Sequence, residues 1–313
     1  MKTPRRILLN LAAMLTLAAM FLFTSAISAQ QMTAPPSGNN QKATVIQNIG
    51  PVTVTIHYSS PDVTGPGGED RRGKIWGELV HYGFKDEQFG TCTECPWRAG
   101  ANENTTFTVS HDVEIEDQPL PAGTYGLHMA AGEEEWTLIF SSNTTSWGSY
   151  FYDPSEDVLR VKVKPEKAEY RHWLTYDFYD RQADQASVRL WWEELAVPFT
   201  ISVPNINEIY VDAMRADLRG AAGFVWSNWT RAALFCLRNN THLEEAEEWA
   251  EKAVTTPWMR GRNFSSLTLL AQLQKANGKT EAALETAQAA LEIASGDQEQ
   301  AAAQKMIDEL KKS

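Results

Sequence analysis

The spacing of apolar residues changes at Asn205, and no fold of a single secondary-structure class accommodates both parts of the chain. From Ala43 to Pro204 the period is two. Val52, Val54, Ile56 and Tyr58 alternate with Thr53, Thr55 and His57, and Phe107 and Val109 alternate with Thr108 and Ser110. The alternation recurs at Val113 and Ile115, at Trp136, Leu138 and Phe140, at Leu159, Val161 and Val163, and at Val188, Leu190 and Trp192. Strands with one buried face produce this signature. Turn formers such as Leu120-Pro-Ala-Gly-Thr124 and Tyr152-Asp-Pro-Ser155 separate the runs. Many short strands without intervening helical pattern predict an antiparallel β-sandwich or barrel-like domain over residues 43–204.

Past Asn205 the spacing becomes helical, and about six helices are expected over residues 205–313. Their breaks fall at Arg219-Gly220, Asn239-Asn-Thr241, Thr255-Thr-Pro-Trp258, Asn277-Gly278 and Ser295-Gly-Asp297. Ala246, Ala250 and Ala253 are echoed by Ala283, Ala287 and Ala290. Small residues at this spacing let the two helices of a hairpin approach closely. The pattern resembles tetratricopeptide-type hairpins, although at most two units are visible and neither copy has an aromatic at the middle alanine position. The expected class is therefore α+β and multidomain, with C-terminal α-helical hairpins.

At the N-terminus, Lys2, Arg5 and Arg6 precede the apolar run Ile7 to Phe23 and the small-residue stretch Thr24 to Ala29. Residues 1–29 read as a signal peptide, which makes the chain an exported protein. The alternative is an uncleaved anchor, since the run sits at the lower limit for a bilayer span. No cysteine near the cleavage region could accept a lipid, and no integral membrane segment is expected after cleavage. Residues 30–42, containing Pro35-Pro36-Ser-Gly-Asn-Asn40, are too polar to pack and read as a flexible linker.

The formal charge of -12 excludes a strongly basic nucleic-acid footprint, and loss of residues 1–29 takes it to -15. Residues 30–204 hold 25 acidic and 13 basic side chains, against 15 and 12 after residue 204, so the acidity belongs to the β part. It either keeps the surface solvated or attracts cations and basic partners.

Motifs for familiar chemistry are missing. His57, His81, His111, His128, His172 and His242 are scattered, with no H-E-x-x-H pair, and there is no G-x-S-x-G elbow. Gly278-Lys279-Thr280 resembles the end of a phosphate loop, but Leu273 replaces the required upstream glycine and the segment joins two helices. No metal set or cofactor is expected. Cys92-Thr-Glu-Cys95 can close a structural disulfide, which is the favoured reading for an exported chain; free or metal-binding thiols and a redox pair are the alternatives. Cys236 sits in an apolar helical stretch and reads as a core residue.

The densest polar cluster is Trp97-Arg-Ala-Gly-Ala-Asn-Glu-Asn-Thr-Thr106. Together with Tyr58-Ser-Ser-Pro61, Gly73-Lys-Ile-Trp-Gly77, Leu120 to His128, Glu135 to Phe140, Trp147-Gly148, Ala168 to Phe178 and Trp192 to Phe199, it resembles the DUF2911 family. The resemblance covers about Ala43 to Val203. It implies an exported bacterial protein, periplasmic or secreted, with a β domain, and it transfers no catalytic residue, because the family is one of exported bacterial proteins without an assigned function. Members often have a shorter connection where this chain carries His81 to Pro96, and some carry a helical extension.

Arg98 offers a planar fork for an anion, Asn102 a donor and an acceptor, and Glu103 a base or a cation ligand. Trp97 and Trp147 offer flat faces, and His128 lies on a neighbouring strand segment. These six are the ligand-binding candidates; equally, Arg98 and Glu103 can form a structural ion pair, Asn102 can cap a turn and the tryptophans can fill a core. Trp192 is expected to share a face with Val188 and Leu190, and Trp226, Trp229, Trp249 and Trp258 can pack the junction between the two parts. The favoured function is a binding or interaction protein of the bacterial envelope, taking a small polar or anionic ligand at the β domain and a protein partner at the helices. The alternative is a hydrolase or isomerase in which Glu103 and His128 exchange protons while Arg98 orients an anionic substrate. No catalytic residue is assigned.

Overall fold

The computed structural model describes residues 37–312. The expected signal segment and residues 30–36 of the expected linker lie outside the described residues. Within them the pattern of period two becomes two antiparallel sheets. The larger consists of β1 (Gln41–Ile49), β2 (Val52–Ser60), β3 (Thr105–Val109), β6 (Gly123–Ala130), β7 (Trp136–Ser141) and β8 (Asp157–Val163), in the order β1-β2-β3-β6-β7-β8. The smaller has the order β5-β4-β10-β9 and comprises β4 (Val113–Ile115), β5 (Gln118–Leu120), β9 (Glu166–Tyr179) and β10 (Gln185–Ser202).

Register follows the apolar alternation. Val54 lies opposite Val109, Phe107 opposite Tyr125, Leu127 opposite Phe140 and Leu138 opposite Val161, so one face of the large sheet is continuous and apolar. Phe178, Tyr176, Val188, Leu190 and Phe199 of the small sheet join it in a single core. Trp192 shares this buried face with Val188 and Leu190, as the alternation predicts, while Trp191 turns outward with Arg189.

Residues 61–104 connect β2 to β3 without a strand of their own, secured by isolated bridges and by apolar anchors. Ile75, Val80 and Ala99 sink into the core, and Trp76 and Trp97 pack against it. Trp76 meets Trp97, Trp136 and Trp192 edge-on at 6.0, 5.2 and 5.7 Å between ring centres, and Trp97 stacks on Trp192 at 6.5 Å. Four indoles, two from this connection and one each from β7 and β10, thus close one end of the sandwich.

The last strand ends at Ser202 and six helices follow: α1 (Ile206–Leu218), α2 (Trp226–Asn239), α3 (Leu243–Thr255), α4 (Phe264–Ala276), α5 (Thr280–Glu292) and α6 (Asp297–Leu310). Helix α2 packs on α3 and α4 on α5 across short connections, the geometry of helical hairpins. Both alanine triplets are buried, letting these helices meet closely. Asn263 starts α4 by accepting from the Ser266 N–H, with Ser266 capping Asn263 in return. Glu247 of α3 accepts from Asn277 Nδ2 at 2.7 Å and Lys279 Nζ at 3.0 Å, so the lysine of the phosphate-loop lookalike braces a hairpin.

Contact between the sheets and the helices differs from the expectation for the tryptophans. Trp229 and Trp249 are buried in the helical core, and Trp258 is largely exposed against Phe224. Ile206 and Ile209 of α1 make the junction by packing onto the β core, and Tyr210 covers the β1–β2 turn. That turn needs Gly50, whose φ is 54° and whose missing side chain leaves room for the Tyr210 hydroxyl. Arg215 of α1 then clamps Glu245 of α3 through two hydrogen bonds of 2.8 and 2.7 Å.

Burial predicts unequal roles for the tryptophans. Trp192→Ala is expected to lower unfolding stability by about 3–5 kcal/mol through the cavity it leaves, whereas Trp147→Ala, at a site 50% exposed, is expected to change it by under about 1 kcal/mol. Urea denaturation of the two variants checks this.

Candidate functional site

The Trp97–Thr106 segment is held by its own backbone. Trp97 exchanges two main-chain hydrogen bonds of 2.8 Å with Met129 of β6, and the Ala101 N–H donates to the Ser59 carbonyl at 3.0 Å. Ala99 and Asn102 both adopt left-handed conformations, at φ 53° and 59°, which folds the segment back on itself. The Ala99 carbonyl accepts from the buried Tyr176 hydroxyl and from Thr105 Oγ1, each at 2.9 Å, tying the segment to both sheets. Burial raises the Tyr176 pKa well above its ordinary value, so this hydroxyl stays a donor.

Glu103 and its neighbours form a polar cavity of about 200 Å³ on the outer face of the large sheet. Lys42, His57, Ser59, Glu103, Thr106 and Ser146 are among its walls. Lys42 Nζ lies 3.0 Å from Glu103 Oε1, and the Ser59 hydroxyl donates to Oε2 at 3.4 Å. Partial burial, which alone would raise the Glu103 pKa, is outweighed by its own backbone N–H and the Lys42 ammonium, so the carboxylate is held below its usual range. The cavity therefore presents a fixed carboxylate, an ammonium and several hydroxyls. His57, bonded to Thr44 Oγ1 at 2.8 Å, completes its β1–β2 side.

The other five candidate residues lie outside these walls. Trp97 belongs to the four-indole cluster, and Asn102 accepts at Oδ1 from Asn40 Nδ2 at 3.2 Å. Arg98 donates to the Asn102 carbonyl at 2.8 Å and lies over the Tyr150 ring at 5.2 Å, occupying the space that a side chain at Gly148 would need. Trp147 is half exposed.

His128 lies on the outer face of β6, where the flanking loops seal it. Its Nδ1 is 2.9 Å from Ser149 Oγ, and its ring meets Tyr152 at 5.4 Å between centres. Cys92 and Cys95 are joined in a disulfide and form a small buried cluster with Tyr152 and Ile139 on this same face. Tyr152 donates to Asp157 Oδ2 at 2.6 Å, and Arg160 reaches both partners. Among the described residues, no group of three or more His, Cys, Asp or Glu is placed to hold a metal ion.

Glu103 and His128 therefore do not face a common cavity. Sequence reasoning passed over Lys42, assigned to the linker, His57, read only as the polar side of a strand, and Ser59, read only as part of the Tyr58-Ser-Ser-Pro61 marker. The available signal was the outward phase of β2, which puts His57 and Ser59 on the face that Thr106 shares across the sheet.

Burial, and next the Arg98 charge, lower the His128 pKa to about 4. Between its ordinary pKa of about 6.5 and this value the unfolded chain takes up a proton that the folded chain refuses. The stability that the neutral ring contributes is complete above about pH 6.5 and is lost as the pH falls toward 4. Wild type is expected to lose about 2 kcal/mol more than His128→Gln between pH 7 and pH 5, measured by urea unfolding at both pH values.

No curated protein matches the chain. The family model described as "Protein of unknown function (DUF2911)" matches residues 40–201, just over half of the chain, and the match ends ahead of the six helices. The two-sheet part, with the cavity at Glu103 and the sealed His128, is thus the part the family defines, and the chain belongs to the DUF2911 family.

Proposed function

We propose that this protein is an exported binding module whose β part holds a small polar ligand in the Glu103 cavity and whose helices engage a protein partner. The carrying observation is the fixed Lys42–Glu103 pair lining a pocket of about 200 Å³ together with Ser59, Thr106 and Ser146. A carboxylate, an ammonium and hydroxyls in one small space offer complementary partners to a ligand rich in hydroxyl, carboxylate or phosphate oxygens. Export is supported by the pattern of residues 1–29 and by the Cys92–Cys95 disulfide, which suits an oxidising compartment. Among the described residues no helix is long and apolar enough to cross a membrane.

For the helical part, support comes from a groove of about 460 Å³ between α2 and α4, where Leu234, Phe264 and Leu269 lie among Arg231 and several hydroxyl side chains. Such a lining fits an extended segment of a partner protein, with apolar contacts for affinity and polar groups for register. The enzymatic alternative draws no support from the geometry, since Glu103 lines an open cavity and His128 is sealed elsewhere.

A thermal-shift screen of the purified protein against sugars, metal ions, and phosphorylated and acidic small molecules tests the β-part reading. A ligand at about 100 times its Kd is expected to add about 2.7 kcal/mol of stability, or roughly 5–10 °C in Tm. Glu103→Gln and Lys42→Met are each expected to abolish the shift. A shift that survives both substitutions places the ligand elsewhere and overturns the assignment.

A further inference from the structure

A second cavity, of about 560 Å³, opens where the β9–β10 ladder is interrupted, and its walls include Arg72, Trp76, Tyr170, Glu193 and Glu194. The pairing of β10 with β9 shifts on both sides of Glu193, which marks a bulge. Glu193 itself sits at φ 54°, a left-handed conformation that is costly for a residue with a side chain. The bulge directs this carboxylate inward: Glu193 is only 8% exposed, and one of its oxygens accepts the Gly73 N–H. The second oxygen has no hydrogen-bond partner among the described residues, and Glu193 lines the cavity.

Neither nearby arginine neutralises it. Arg171, the cross-strand neighbour of Glu193, turns its guanidinium onto the Trp191 ring at 3.9 Å. Arg72 is committed to Asp70, donating to both carboxylate oxygens at 2.5 to 3.0 Å. A largely buried carboxylate with one amide partner and no ion pair among the described residues can accept a cation or a strong donor from the cavity it lines. Glu194 adds a second negative charge at the rim, while Trp76 and Tyr170 supply aromatic walls. One buried carboxylate makes a poor cage for a metal ion, which needs several oxygen ligands. Aromatic faces beside a carboxylate instead suit an organic cation, whose charge pairs with the acid while its stem covers the rings.

We propose that this cavity binds a primary ammonium group carried on an aliphatic stem, with Glu193 as its counter-ion and Trp76 and Tyr170 as the walls against which the stem lies. The site is distinct from the Glu103 cavity and draws on other parts of the chain. Apart from Arg72, its walls come from Gly73-Lys-Ile-Trp-Gly77, Ala168 to Phe178 and Trp192 to Phe199, three of the motifs that carry the family resemblance.

Isothermal titration of the full chain with 1,5-diaminopentane in about 0.15 M salt, where diffuse attraction to an acidic surface is screened, tests the proposal. Saturable binding is expected, weakened at least tenfold by Glu193→Gln and several-fold by Tyr170→Ala. Glu134→Gln, on the β6–β7 hairpin, is expected to leave it unchanged, and the uncharged 1,5-pentanediol is expected not to bind. Near-UV circular dichroism reports whether Glu193→Gln keeps the fold; if it does not, Tyr170→Ala and Glu194→Gln carry the test, each expected to weaken binding. Absence of saturable binding to wild type, equal binding of the diol, or an affinity that the folded cavity variants leave unchanged overturns the proposal, as does an equal loss in Glu134→Gln.

Discussion

Packing of four indoles at one end of the sandwich fixes the rest of the β part. Trp76 and Trp97 come from the strandless connection 61–104, Trp136 from β7 and Trp192 from β10, so the cluster joins both sheets to a segment with almost no ladder of its own. The Nε1 groups of Trp76 and Trp136 are buried without partners, a cost of about 1–3 kcal/mol each that the surrounding apolar burial must exceed. A loop this long would ordinarily be mobile. Here its path is set by side chains that cannot leave the core, and both cavities inherit their walls from it: Glu103 and Asn104 in one, Arg72, Gly73 and Trp76 in the other.

Charge is deployed differently on the two outer faces. On the large sheet Lys42 is spent on Glu103, Lys162 on Glu135 and Arg160 on Asp157, so acids and bases pair locally and the His128 region stays dry beneath its loops. On the small sheet Arg189 is held by Asp177 and lies over the half-buried rings of Trp191 and Tyr179, and Arg171 also lies over Trp191. That arrangement engages Arg171, the cross-strand partner of Glu193. The same stacking that orders the outer strand surface therefore leaves the buried carboxylate without a counter-ion.

Alternation made most of the two-sheet architecture legible, because a half-buried strand must place its apolar residues two apart. Strand β1 escaped notice because it begins at Gln41, inside a polar stretch, and exposes half of every turn of its pleat at the edge of the sheet. The first half of β9, Glu166 to Trp173, is exposed or half-exposed throughout, and only Leu174, Tyr176 and Phe178 show the buried phase. The sites were less legible for a different reason. Whether His128 faces solvent depends on loops that fold over it from residues 92–95 and 149–152, and Glu193 faces inward only because a bulge breaks the phase that places Trp191 outward. Alternation carries no record of either event.

The disulfide shows how that cover is maintained. Cys92 and Cys95 are three residues apart, so cross-linking them removes little freedom from the unfolded chain: about 2 kcal/mol on a chain-entropy argument, compared with about 3 for a fifteen-residue loop. Its larger effect is positional. The pair is packed on Ile139 and Tyr152, and the N–H groups of Thr91 and Cys92 both donate to the Tyr150 carbonyl at 3.0 Å. Tyr150 carries Arg98 on its ring, and Tyr152 carries His128. A cross-link too short to matter much globally thus holds the backbone whose Tyr150 ring lies under Arg98 and whose Tyr152 ring covers His128. Its position lies in the strandless connection 61–104, so one connection supplies both the cover over His128 and part of the walls of the two cavities.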